Sequence, residues 1–161
     1  MSSSLHAALE TLFREFVHGP PGAEAYMLNA GDVGLLRSLD TLSAAAASAT
    51  PPSGGASIAA HVDHLRYGLS LMNRWAAGDP NPFATADWTT SWTRTRVSDH
   101  EWAALRKALA DETHKWVAAL RTPREYKQIE LNGIIGSIAH LGYHLGAIRQ
   151  IDRSMRGPAA S

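Results

Sequence analysis

Eight histidines and no cysteine set the chemistry open to this chain. His140 and His144 are four residues apart, and His61 and His64 are three apart. On a helix, either spacing puts two imidazoles on one face. Neutral imidazoles from facing helices can surround one divalent cation and leave a position open for water or substrate. With no thiolate available, nitrogen and oxygen must hold any ion. A single His-x3-His pair is weak evidence, because chance supplies roughly 0.4 such pairs in a chain with this many histidines. The plainer alternative is a pair of polar residues at a helix edge, bonded to neighbours or water. Other catalytic signatures are missing: there is no phosphate loop, Gly-x-Ser-x-Gly elbow or His-Glu-x-x-His.

These residues need helices to position them. Within 131–154, Ile134, Ile138, Leu141, Leu145 and Ile148 recur at three- and four-residue steps, which predicts an amphipathic helix. His140 and His144 fall on the shoulder of that stripe, beside small Gly133, Ser137 and Ala147. The stretch 57–77 predicts a second long helix with Ser57 as N-cap and Ile58, Val62, Leu65, Leu69 and Met72 facing inward. His61 lies nearer Val62 and Leu65, whereas His64 shares a line with Gly68, Leu71 and Trp75. The helical wheel does not choose between them. Ser98-Asp99-His100-Glu101 is a capping box that opens a third long helix, carrying Trp102, Leu105, Leu109, Trp116 and Leu120.

Upstream, 4–18 predicts a short helix with Leu5, Leu9, Leu12 and Phe16 on one stripe, stopped by Gly19-Pro20-Pro21. The stretch 32–47 predicts another, with Leu35, Leu39, Leu42 and Ala46 inward, ended before the break TPPSGG. No segment alternates as a half-buried strand does. The expected fold is all-α, one domain over 1–161: a four-helix bundle with a short additional N-terminal helix. Residues from about 157 should form a flexible tail. The segment 79–96 is long for a connection and rich in Pro, Thr and Trp, so it should cover something or act. Net charge is +0, which gives no reason to expect nucleic acid or an anionic membrane as partner. No run can span a bilayer, and the opening MSSSLHAALE lacks the marks of a signal peptide, so a cytoplasmic protein is expected.

Three further features bear on a site. Glu112 lies near the inward face of its helix and could act as a fourth ligand, a hydrogen-bond acceptor behind a ligand, or a general base. A solvated or salt-bridged carboxylate is the plainer alternative. Trp75, Trp88, Trp92 and Trp102 are candidates to line a pocket, although tryptophan is also ordinary core material. Gly142, Gly146, Arg149 and Arg153 share the face opposite the histidine shoulder, with Ile135 and Gly136 earlier. Several glycines in one helix call for another helix close by, from the same bundle or from a second copy.

Taken together, Ser57-Ile58 followed by His64, and the closing His140-Leu-Gly-Tyr-His144-Leu-Gly-Ala-Ile148-Arg149, resemble the DinB-like superfamily. That superfamily includes the YfiT-like metal-dependent hydrolases and thiol-dependent transferases and isomerases. The likeness runs from about residue 32 to 153. It implies a four-helix bundle, often dimeric, with a divalent metal held by three side chains. Carried over, these are His64, His140 and His144; the register from Ser57 puts His61 at a variable position. The implied function is a metal-dependent enzyme that activates water or a low-molecular-weight thiol on a small-molecule substrate. Zinc or nickel suits three imidazoles. The alternative is a non-catalytic bundle with a structural or sensing metal, or none. The likeness also favours a homodimer over an interhelix contact within one chain. Two departures stand out: the 19–31 interruption near the start and the distinctive 79–96 segment.

Overall fold

The computed structural model describes residues 2–52 and 54–159, with side chains from Ser4 onward. It is all-helical, with no strand among the described residues. The elements are α1 (Ser2–His18), α2 (Gly34–Asp40), α3 (Ala44–Ala47), α4 (Ile58–Ala76), α5 (Asp99–Arg121) and α6 (Gln128–Ile151). Two 3-10 turns, Thr90–Trp92 and Arg153–Met155, follow α4 and α6. Helices α5 and α6 each pack against both α1 and α4, so four helices close a ring around one continuous core.

The first two expected helices exchange weight. α1 is 17 residues long and is itself a wall of the bundle. Its buried stripe is Leu9, Phe13, Phe16 and Val17, while Leu5 is exposed. Leu12 is partly buried at the edge of the same core, so the stripe is centred on Phe13 and Val17 rather than on Leu5. The expected helix over 32–47 is two short pieces. Thr41 Oγ1 donates to the Ser38 carbonyl, and extended Ser43 caps α3 by accepting from Ala46 N. Hydroxyls that bond the nearby backbone compete with the helix ladder, and here they interrupt it. The break frees the Leu42 carbonyl, which accepts the Trp102 indole N–H at 2.8 Å.

The connector between α1 and α2 is fastened from inside. Buried Glu15 accepts backbone N–H bonds from Tyr26, Met27 and Leu28. Gly19 and Gly34 both have positive φ, and a side chain on Gly19 would run into the Asp32 carbonyl. Asp32 accepts from Gly34 N and from Arg149 Nη2, both at 2.8 Å, tying this connector to the end of α6. Arg149 therefore belongs to an internal ion pair. Gly142 also faces inward: a Cβ there would lie 2.7 Å from Phe16 Cζ of α1. Gly146 by contrast has nothing within 4 Å of such an atom. The predicted tail, 157–161, lies partly outside the described residues; within them, the Pro158 carbonyl accepts from Asn29 Nδ2.

The sequence-predicted caps are present. Ser57 Oγ accepts from Ala60 N and donates to the Thr95 carbonyl. At α5, Ser98 Oγ accepts from Glu101 N, and the Glu101 carboxylate accepts from Ser98 N. Ser98→Ala should lower stability by about 1 kcal/mol in a denaturant titration. Metal content should stay at the parent's level, because the cap does not touch the histidines described next.

Candidate metal centre

Helix α4 begins at the Ser57 cap, and almost every residue of its first two turns is buried. That places His61 and His64 inside the bundle rather than on its rim. Helix α6 runs against it and turns His140 and His144 to meet them. His61, His64 and His144 are buried and His140 is half-buried.

Three nitrogens of one kind converge. His140 Nε2 lies 3.1 Å from His64 Nε2 and 2.9 Å from His144 Nε2. Ligand atoms of the three residues all fall within 4.8 Å of one another. In a tetrahedral zinc site with bonds of 2.0–2.1 Å, ligand nitrogens stand about 3.3 Å apart. The spacing found is close to that edge.

For His64, a hydrogen bond behind the ring fixes which nitrogen carries the lone pair. Ser91 Oγ donates its proton to the Trp88 carbonyl at 2.6 Å. Its 2.8 Å contact with His64 Nδ1 must then have the imidazole as donor. With the proton on Nδ1, Nε2 of His64 is left as a free donor pair aimed at the other two rings. His144 Nδ1 meets His61 Nδ1 at 2.8 Å. One of these two rings donates to the other, and where His61 is the acceptor His144 keeps its Nε2 pair free, as His64 does. Ligating histidines are typically held this way, by a partner on the far ring nitrogen.

Burial also favours the uncharged ring. Desolvation, with lesser contributions from neighbouring histidines, lowers His64 to about 4 and His144 to about 3. Desolvation lowers His61 and His140 as well. Four imidazoles crowded out of water cannot share protons cheaply. At neutral pH they present nitrogen lone pairs, the form that a metal needs. His64, His140 and His144 thus fit a divalent ion, with His61 set behind His144.

The segment 79–96 closes over this cluster. Trp92 stacks on the His64 ring, centroids 4.2 Å apart, and meets His61 edge-on. Trp88 leans on His64 and Tyr67. The segment is pinned to α4 at several points: Asp87 N donates to Tyr67 Oη, Arg94 pairs with buried Asp63, and the Thr95 carbonyl takes the Ser57 hydroxyl. Asp63 also pairs with Arg66, so its charge is matched twice.

Other expected site residues lie elsewhere. Glu112 accepts from Asn73 and Lys115; Asn73 is nine residues along α4 from His64, about 13 Å of helix. Glu112 is therefore not beside the histidines. Trp102 is core, bonded to the Leu42 carbonyl. Trp75 packs near Trp116 and under Arg124, away from the histidines, where it lines a small cavity with Met72 and Phe83. Sequence reasoning missed Ser91 and Asp63. Nothing in a serine between tryptophans announces a histidine partner; the signal for Asp63 is its place within His61-Val-Asp-His64, between two buried imidazoles.

A family model described as the DinB superfamily matches residues 33–148. That span takes in both histidine pairs and the covering segment, and omits α1. No curated protein and no solved structure matches the chain.

Proposed function

The chain belongs to the DinB superfamily, and on that footing we propose that it is a divalent-metal-dependent enzyme whose ion is held by His64, His140 and His144. The observation that carries this is the meeting of three Nε2 atoms, with the His64 proton tied back to Ser91. Zinc or nickel suits an all-imidazole set. When bound, such an ion supplies Lewis acidity, which brings the ionisation of water or of a small thiol toward neutral pH.

The chain's own residues do the rest. Ser91 holds His64 in the required tautomer, and Ser91 and His61 orient the two imidazoles they touch. Trp92 covers His64 and excludes water from that side. The His140 ring lines a cavity, so the centre has an open approach; a closed structural site would have none. This favours an enzyme over the non-catalytic alternative. No carboxylate is within hydrogen-bond reach of the three rings in the contacts described, which removes Glu112 as general base. Hydrolysis and thiol transfer remain the two reaction types. The test is a screen of metal-loaded protein against ester, amide and thiol-transfer substrates, each with and without added thiol. Turnover that absolutely needs the thiol selects transfer; turnover without it selects hydrolysis. No turnover from a fully loaded site returns the protein to the non-catalytic class.

The same proposal includes a homodimer through α6. Its outward face carries Asn132, Ile135, Ala139, Tyr143, Gly146 and Gln150, all exposed and none charged. Ile135 is 50% exposed and Tyr143 71%. An uncharged stripe this long on a soluble helix suits contact with its own copy across a two-fold axis. Gly146→Leu should shift the protein toward monomer while helicity and metal binding persist. A parent mass of one chain by light scattering at micromolar concentration would end the idea.

A further inference from the structure

Beside the histidines lies a cavity of about 310 Å³ between α4 and α6. A second, about 130 Å³, adjoins it, and the two share Met72, Phe83 and Gly133. The two helices run antiparallel here, so the pair makes one trough. It starts at His140 and Trp88 and ends at Trp75 and Ile129. The span from His140 to Ile129 is eleven residues of α6, roughly 16 Å.

The trough is apolar along its length. Its main polar contributions are the His140 ring at one end, the Ser137 hydroxyl, and Glu130 at the other end. The Glu130 carboxylate is engaged by Lys127 N. Ser137 is engaged too, donating to the Ile134 carbonyl and accepting from Trp116 Nε1. A charged or heavily hydroxylated ligand would lose its water here and find no partner. Phe83 and Ile129, both exposed, extend the same apolar surface to the rim.

The glycines show that folding does not require this space to be empty. Alanine is the better helix former, and three glycines sit inside helices along the trough. A Cβ at Gly68 would lie 3.6 Å from Trp88 and 3.7 Å from His140, ordinary contacts. At Gly133 it would meet only Met72 at 3.8 Å, and at Gly136 nothing within 4 Å. Gly142, where Phe16 fills the room, shows what a packing glycine looks like. The others keep a cavity open.

We infer that the site takes a small molecule with a neutral, elongated apolar body, lying in the α4–α6 trough with its polar head at His140. This rests on the metal-centre reading for the head group alone; the apolar body is recognised by α4 and α6 themselves. At about 30 Å³ for a water-sized group, the larger cavity holds roughly ten such groups. The polar, water-rich end of the substrate range is thereby set aside.

The test separates the two readings. Metal-free protein is given the neutral dye N-phenyl-1-naphthylamine, displaced by n-alkanols of rising length. Zinc-loaded protein is titrated with n-alkyl hydroxamates over the same lengths. Each added methylene should tighten binding about fourfold in both series, levelling off when the trough is full. Gly133→Leu should weaken dye and long alkanols at least tenfold. Gly68→Ala, which fits without strain, should shorten the chain length at which the gain levels off. Length-independent displacement, or both variants behaving as the parent, overturns the inference. Length dependence in a protein that takes up no metal would leave the trough standing and remove the metal reading. Metal uptake without length dependence would do the reverse.

Discussion

Purified His140→Ala protein should bind zinc roughly 10²- to 10³-fold more weakly than the parent. The magnitude follows from zinc sites worth about 10–16 kcal/mol over four ligands, or about 2.5–4 kcal/mol for each. His140 is the most informative choice because its Nε2 is the one that lies next to both others. His61→Ala and Ser91→Ala remove partners behind the ligands and should cost only about 10- to 100-fold. A competition titration against a chromogenic chelator reads all three. Equal affinity in His140→Ala and parent would show that these imidazoles do not hold the ion. The pH dependence has a definite sign. His64 at about 4 and His144 at about 3 both lie below the 6.5 of a free imidazole. Burial lowers all three ligand imidazoles, so protons compete less for the folded site than for free imidazoles, and zinc affinity should fall less steeply below pH 6.5 than that of a free-imidazole chelator. Between about 6.5 and 4 the unfolded chain binds protons that the folded chain does not. The metal-free fold should lose stability as pH falls through that window.

Asp32→Ala should cost about 3–5 kcal/mol of stability, the largest effect expected away from the histidines. The Asp32 side chain is 2% exposed and that of Arg149 15%. Removing the carboxylate strands a guanidinium in the interior and leaves Gly34 N without its acceptor. Breaking a buried pair from one side is costly because the surviving charge has lost its water and gained nothing. Replacing both partners by apolar residues, Asp32→Leu with Arg149→Met, should recover much of the loss. Urea midpoints for the parent, the single variant and the double variant decide it. A single variant within 1 kcal/mol of the parent would mean that water reaches Arg149.

What could be read from the sequence was mostly local. The α6 stripe, the Ser57 and Ser98 caps and the all-α character depend on residues within a turn or two of each other, and spacing shows them directly. The histidine pairs were visible for the same reason. What escaped depended on residues far apart in the chain. Asp32 and Arg149 are 117 positions apart, and Ser91 and His64 are 27. A wheel assigns an angle to Gly142 and Gly146 but cannot say that Phe16 stands opposite one and nothing opposite the other. Glu112 and Trp102 pointed inward as expected, yet inward at their level of the bundle is not where the histidines lie. The break at 41–43 does not show in the leucine pattern, because two local bonds, from Thr41 and to Ser43, outweigh an apparently continuous stripe.

The fastening of 79–96 to α4 constrains how this protein can change over time. Surface connections ordinarily drift in length, gaining and losing residues with little consequence. Here Asp87 is moored to Tyr67 and Arg94 to Asp63, with Ser91 between them against His64. A one-residue insertion or deletion between those moorings would move Ser91 out of register with an imidazole that cannot follow. Substitutions at the exposed tip, 83–85, can reshape the trough's rim, where Phe83 stands, without that penalty. New ligand preferences can therefore arise by point changes at the tip while the inner half of the segment keeps its length.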